Sequence, residues 1–399
     1  MKKKRKKHPM IKLTVLCLFG MLTVVGLIFT HFGGFGTGEN ASLEEFAAYA
    51  GTIEDITIPE KVQIIALGEA THGNVEFQQL KLDVFKGMVE NYDVRAFALE
   101  GDYGGCEQVN RYIHGGEGTA QEAAAAIGFA IYRTEEMAQL ISFMRQYNES
   151  ATEGEDLRFY GFDMQRYVYS FRFLTEACKK LGVDGENLEK LMVDDKWSDE
   201  YDYPARVEMI TLIKTELEGK ENSAQAIHLA DMLLQYFELQ ATKNPDLRDR
   251  LMAENIQWIA EQEREAGHER IFVTGHNSHV ARWGSYDSMG KLLANELGEG
   301  YYVIGTDFYK TYCNMPNGSS GRRTNQVFYS HDPLAKAAKM EGLDICWLDF
   351  AKASESPVLA EQIVQYTYMG NLGERYSWFM RLLPQAIECS SHRQSCTTE

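Results

Sequence analysis

Apolar and polar positions along this chain fall into blocks whose period switches between strand and helix. Val62-Gln63-Ile64-Ile65-Ala66-Leu67 is a nearly continuous apolar run, the pattern of a parallel strand buried on both faces. Residues 68–73 read as a loop and 75–92 as a helix. Val94-Arg95-Ala96-Phe97-Ala98-Leu99 is a second strand that ends in Glu100, and Leu157-Arg158-Phe159-Tyr160-Gly161-Phe162 a third that ends near Asp163. A helix over 135–147 lies between those two strands. Residues 168–266 show helical periodicity and few strand signals. Arg270-Ile271-Phe272-Val273-Thr274-Gly275 is a fourth strand and ends at His276. A helix over 289–297, a strand over 301–305, a strand over 343–350 and a helix over 358–366 complete the pattern. Strand–helix alternation of this kind predicts an α/β fold. A mostly parallel central sheet is flanked by helices, with a helical lobe inserted over about 168–266.

The N-terminus has a different pattern. Lys2-Lys3-Lys4-Arg5-Lys6-Lys7 precedes an uncharged run over 13–30. Eighteen helical residues rise roughly 27 Å, close to the hydrocarbon thickness of a bilayer. The expectation is a transmembrane anchor over 1–35, basic end in the cytoplasm and body outside. A cleaved signal peptide is the competing reading, with Gly34-Phe35-Gly36 or Gly36-Thr37-Gly38 as a loose small-x-small site. The domain expected behind it spans 36–385, and a polar stub covers 386–399.

Charge and cysteine content narrow the function classes. Seven of the 40 basic residues and none of the 58 acidic ones lie in the first 30 residues, which leaves the body at a formal −25. Such a body repels phosphate backbones, so no nucleic-acid partner is expected. None of the six cysteines outside the N-terminal run forms a C-x-x-C pair, which argues against a zinc knuckle.

Ionisable residues gather where α/β sheets place their sites, at the carboxyl ends of strands. Glu69 and His72 follow the first strand, Glu100 closes the second, Asp163 the third, and His276 and His279 the fourth. Each has an ordinary structural explanation alone; their joint placement points to chemistry. Histidine suits a general base because its unperturbed pKa is near 6.5. A carboxylate accepting its other ring proton fixes the tautomer, and Glu69 and Glu100 are the candidates for that part. There is no G-x-S-x-G elbow and no H-E-x-x-H, although Glu and His groups of this kind can still gather a divalent metal.

Gly68-Glu69-Ala70-Thr71-His72-Gly73 with Glu76-Phe77, followed by Ala98-Leu99-Glu100, resembles the opening of the erythromycin esterase family. Val109-Asn110-Arg111-Tyr112, Phe159-Tyr160-Gly161-Phe162-Asp163, Met252-Ala253-Glu254-Asn255 and Gly275-His276-Asn277-Ser278-His279-Val280 follow in the family's order. The resemblance covers roughly 43–370. It implies His72 as the base that activates water, with Glu69 and Glu100 as the acidic residues around it. His276 and His279 then line a substrate cleft. It also implies Lys81 at a basic position often filled by Arg, suited to stabilising an oxyanion or else an exposed helix residue. Asp163 and Arg145 are expected as supports. The chain departs from the family after Pro384, where a strand that completes the fold gives way to the polar stub, expected to be poorly ordered.

The function expected on these grounds is hydrolysis of a carboxylic ester or lactone, a macrolide among the candidates, with no cofactor. The substrate would be a small or envelope-derived molecule. Two alternatives stay open: a metal-dependent hydrolase or peptidase using the same Glu/His cluster, and a non-catalytic ligand-binding envelope protein.

Overall fold

The computed structural model describes residues 9–32, 43–183, 185–242, 244–284, 286–330, 332–364, 369–377 and 380. The described chain forms two compact units. The larger, Thr57–Gly68 and Val75–Gly305, carries the central sheet. The smaller takes in the described parts of Met1–Ile56 and Thr306–Thr397 together with Glu69–Asn74.

In chain order the smaller unit begins with α1 (Pro9–Phe32) and α2 (Leu43–Tyr49). The larger unit follows with β1 (Ile64–Glu69, its last residue counted with the smaller unit), α3 (Val75–Tyr92), β2 (Ala96–Asp102), α4 (Tyr103–Ile113), α5 (Ala120–Ala126), α6 (Glu135–Asn148) and β3 (Arg158–Asp163). Its helical stretch holds α7 (Val168–Leu181), α8 (Gly185–Glu189), the two-residue strands β4 (Met192–Val193) and β5 (Lys196–Trp197), α9 (Tyr203–Leu217), α10 (Ala224–Thr242) and α11 (Pro245–Glu265). Then come β6 (Ile271–His276), α12 (Asn277–Val280), α13 (Met289–Leu297) and β7 (Tyr301–Ile304). The smaller unit resumes with β8 (Lys310–Pro316), β9 (Arg323–Tyr329), α14 (Pro333–Met340), α15 (Phe350–Ala353) and α16 (Pro357–Val364).

Five strands form the central sheet in the order β3-β2-β6-β1-β7. The pairs β1–β7, β2–β3 and β2–β6 are parallel. The chain leaves β1 toward β2 and leaves β6 toward β7, so the direction of winding reverses between β6 and β1. Ligands in such sheets bind at the carboxyl ends near that reversal. Register puts Phe97 of β2 beside Phe159 and Phe272. Phe85 of α3 meets Phe97 edge-on at 5.1 Å. Alternate residues point the other way; there Tyr160 and Arg158 bind Glu263 of α11. Truncating a buried Phe such as Phe97 costs about 3–5 kcal/mol, so this ladder is a main reason the strand ends stay in place.

The α/β reading holds, with each of the first four strands close to its expected position. Two expectations fare differently. A helix does form at the N-terminus, but among the described residues no helix is long and apolar enough to cross a membrane. The described residues thus give the transmembrane expectation over 13–30 no support. The strand expected over 343–350 is reduced to a single bridge between Trp347 and Gly51, and Phe350 already begins α15. One partner residue cannot extend into a ladder, and Ile345 is left exposed. The hairpin β8–β9, with seven paired positions, was not expected. The stub over 386–399 lies outside the described residues.

Candidate active site

In the smaller unit the loop after β1 is pinned from several directions. Ala70 N–H donates to Thr306 Oγ1 (2.9 Å), Leu372 N–H to Ala70 O (2.6 Å), and Asn314 N–H of β8 to Gly73 O (2.9 Å). Asn74 Nδ2 donates to Thr311 Oγ1 at 2.8 Å. This frame presents His72 with its Nδ1 hydrogen-bonded to the Glu69 carboxylate. Glu69 is buried and His72 partly open. The carboxylate favours the tautomer with the proton on Nδ1, which places the imidazole lone pair on Nε2.

In the larger unit a second group forms at the carboxyl ends of β2, β3 and β6. Glu100 accepts the His276 backbone N–H at Oε2 (2.8 Å) and Arg248 Nη2 at Oε1 (2.8 Å). Strand β6 can come this close because residue 275 is Gly; a Cβ there would stand 3.0 Å from Glu100 Oε2. Arg248 also donates to Asp163, Nη2 to Oδ2 at 2.8 Å and Nε to Oδ1 at 3.3 Å. Its Nη1 lies 3.2 Å from His279 Nε2. The other His279 nitrogen, Nδ1, meets Asp249 Oδ1 at 2.7 Å, and that oxygen also accepts the Met289 N–H at 2.9 Å. His276 turns its ring to Ser278 Oγ (2.7 Å) at the start of α12, with its centroid 6.4 Å from that of His279.

The local sequence explains the placement of Arg248 and Asp249. Asn244 caps α11 and Pro245 occupies its first turn, a strong helix start. Residues 248 and 249 then follow one turn in. Burial works against the Arg248 charge, but the Asp163 and Glu100 carboxylates more than offset it and raise its pKa, so the guanidinium stays charged. Burial also lowers the His279 pKa; the Glu100 charge and the Asp249 hydrogen bond outweigh it and raise the pKa, while Arg248 pulls it down. Next to the group, burial pushes the Asp102 carboxyl up to about 7, with the Gly105 N–H opposing and the Asp163 charge adding to the rise.

Of the residues expected from sequence, Glu69 and His72 are brought together, and so are Glu100, His276 and His279. The two sets belong to different compact units. Lys81 is not an exposed helix residue: it is buried on α3, donating to Gln78 Oε1 at 2.9 Å, with Nζ 5.3 Å from the Tyr132 ring centre. Tyr132 in turn donates its hydroxyl to Glu100 O at 3.0 Å. Asp163 is a direct partner of Arg248. Arg145 instead holds the end of α4, donating to Tyr112 O and Gly116 O. Arg248 and Asp249 were missed. The stretch Asp246-Leu247-Arg248-Asp249-Arg250 has the mixed charges of a solvated helix face. The one available signal was its neighbour Met252-Ala253-Glu254-Asn255, a turn further along the same helix. Among the described residues no set of three His, Cys, Asp or Glu side chains is placed to hold a metal ion. Within the Glu100–Asp163 pair the cation is the Arg248 guanidinium.

The erythromycin esterase type II of Escherichia coli is 22% identical over 295 residues, 62% of this chain and 69% of that protein. A putative hydrolase of Bacillus subtilis, YbfO, is 24% identical over 298 residues, 62% of this chain and 65% of that protein, so the chain spans about two thirds of the length of these two relatives. A succinoglycan biosynthesis protein of solved structure superposes with a TM-score of 0.70 at 19% identity, covering 86% of this chain and 94% of that one. The open conformation of a mutant of the erythromycin esterase EreC gives a TM-score of 0.51 at 16% identity, over 68% and 77%. At these identities the structural likenesses speak for the fold alone. The family model for erythromycin esterase, however, matches residues 89–378, well over half the chain, and with that span the chain belongs to the erythromycin esterase family.

Proposed function

We propose that this protein hydrolyses a carboxylic ester or lactone with a water activated at His72. Family membership supports a hydrolase. The observation that carries the mechanism is the hydrogen bond between His72 and the buried carboxylate of Glu69. Glu69 orients the ring, and its charge stabilises the imidazolium that forms when Nε2 takes a proton from water. The hydroxide so formed attacks the acyl carbon, and the tetrahedral oxyanion needs a positive partner. Lys81 is proposed for that part on the strength of the family resemblance alone. The imidazolium then returns its proton to the leaving alkoxide. His276 and His279 are the proposed substrate-binding residues, held in place by Glu100.

A macrolide lactone is one candidate substrate, on the strength of the family; an envelope-derived ester is another. The basic N-terminus and the uncharged run over 13–30 support a body on the extracytoplasmic side of the membrane. Protease added outside intact cells should digest the body if so, and protection would overturn that placement. The substrate is tested with the full chain against activated esters, simple lactones and macrolides, with and without a chelator. Turnover that survives the chelator supports the proposal. Turnover abolished by chelator and restored by metal contradicts it.

A further inference from the structure

We propose that Arg248 is the positioning residue of this site, acting on substrate through Glu100 and His279 rather than by touching it. The inference rests on the hydrolase reading for its kinetic consequence, but its structural part stands without it. Arg248 spends its fork on three partners at once: Glu100, Asp163 and the His279 ring. A planar guanidinium can serve three acceptors in fixed directions, whereas an ammonium is a point charge. Asp163 is the rear clamp of the arrangement. It is fully buried and also accepts Met164 N–H (2.8 Å) and Gln165 Nε2 (2.6 Å), so its own carboxylate cannot swing away.

The consequence for His279 is specific. Asp249 accepts a hydrogen bond from Nδ1–H and Arg248 donates toward Nε2, so the two neighbours on α11 hold the ring in one neutral tautomer from opposite sides. The charged and titratable groups facing this ring are Glu100 of β2, Asp249 and Arg248 of α11, His276 of β6 and Tyr286. Two carboxylates, Glu100 and Asp163, share one guanidinium, and a third, Asp249, binds the far side of the His279 ring. Removing it leaves the carboxylates uncompensated, and His279 becomes the group that takes up a proton in their place. Protonated, its Nε2 becomes a donor, and the hydrogen bonding on that side of the ring reverses.

The test compares wild type with Arg248→Met, Arg248→Lys and Asp163→Asn in the full chain. The first readout is the His279 imidazole titration by nitrogen NMR, assigned with His279→Gln; it requires no turnover. Arg248→Met should raise the His279 titration point by about one pH unit or more. Asp163→Asn should disturb it less, because the guanidinium remains. The second readout is turnover of an activated ester. Arg248→Met should lower kcat by about 10–100-fold, as loss of an orienting partner typically does, with KM changed little. The acid limb of its pH profile should move to higher pH, and Arg248→Lys should recover part of kcat. If Arg248→Met does not fold, Asp163→Asn carries the test, since a loosened guanidinium should lower kcat per folded molecule, beyond any loss of folded fraction. A His279 titration identical in wild type and Arg248→Met overturns the proposal. So does a kcat loss that only follows the folded fraction. If no ester is turned over by wild type, the hydrolase reading fails while the titration still decides the role of Arg248.

Discussion

Strand β3 carries a buried arginine–carboxylate network at each end, and the two are built differently. At its start, Arg158 grips Glu263 with two hydrogen bonds of 2.7 Å and Tyr160 adds a third of 2.7 Å. Glu263 is the anion held this closely, and a neutral hydroxyl fills its remaining acceptor site; Asp156 stands 3.6 Å from Arg158 on the half-open side and pairs with His114. At its end, Asp163 shares a single guanidinium with Glu100, and Asp249 and two imidazoles stand close by. The buried core of the first network sets one cation against one anion, and its imidazole, His114, stands outside that core on Asp156. The second has more negative than positive charge and a histidine able to take up the difference. A balanced pair fixes structure; an acidic surplus around an imidazole sets up proton chemistry.

That contrast breaks in a measurable way. Glu263→Gln should give the largest effect on folding. It leaves Arg158 buried beside an amide, and removing one partner of a buried ion pair costs about 3–5 kcal/mol. Denaturant unfolding reads the loss, while turnover per folded molecule should be unchanged. A variant of normal stability would show that the two ends of β3 are not so different. Glu100→Gln removes a buried ion-pair partner too, but its distinguishing effect should be on turnover per folded molecule. Glu100 uses both oxygens as acceptors, one for Arg248 and one for the His276 N–H, so an amide must turn its NH2 toward a donor. Turnover should fall by at least about 10²-fold. Wild-type rates from a folded Glu100→Gln would remove Glu100 from the mechanism.

The next effect is smaller and sharpens what sets acid tolerance. His228 of α10 lies flat on Trp258 of α11, ring centres 3.7 Å apart, and edge-on to Tyr103 at 4.7 Å. Burial pushes its pKa down from 6.5 to about 3, with a small addition from Lys214. The folded chain therefore binds this proton later than the unfolded chain does. Stability from this group is complete above about pH 6.5, is lost as pH falls, and is gone near pH 3. The slope is about 1.4 kcal/mol per pH unit within that window. His228→Phe keeps the stack and should flatten the fall between pH 6 and 4. Equal slopes in the two proteins would show that His228 does not set the acid limit.

Much of the frame was readable because each signal was local. Continuous apolar runs such as 62–67 and 94–99 mark strands buried on both faces, and the ionisable residue closing each run marks the sheet's carboxyl edge. Glu69, His72, Glu100, His276 and His279 were legible for that reason. Arg248 and Asp249 were not. On a helix, a charged residue that faces a site and one that faces water have the same local pattern, and only the packing of α11 decides between them. The burial of Lys81 was hidden in the same way, since α3 alternates polar and apolar residues without a dry side that the sequence declares. The run over 343–350 misled in the opposite direction. It is apolar enough for a strand but has one bridging residue, and strand pairing is a property of two segments rather than one.

The most direct measurement of the central claim is the pH–rate profile of wild type and His72→Ala on one activated ester, with melting temperatures matched. If His72 activates the water, the wild-type profile has a limb near the histidine range. His72→Ala then loses at least about 10²-fold in kcat together with that limb. A folded His72→Ala with the wild-type rate and an unchanged profile would contradict the account.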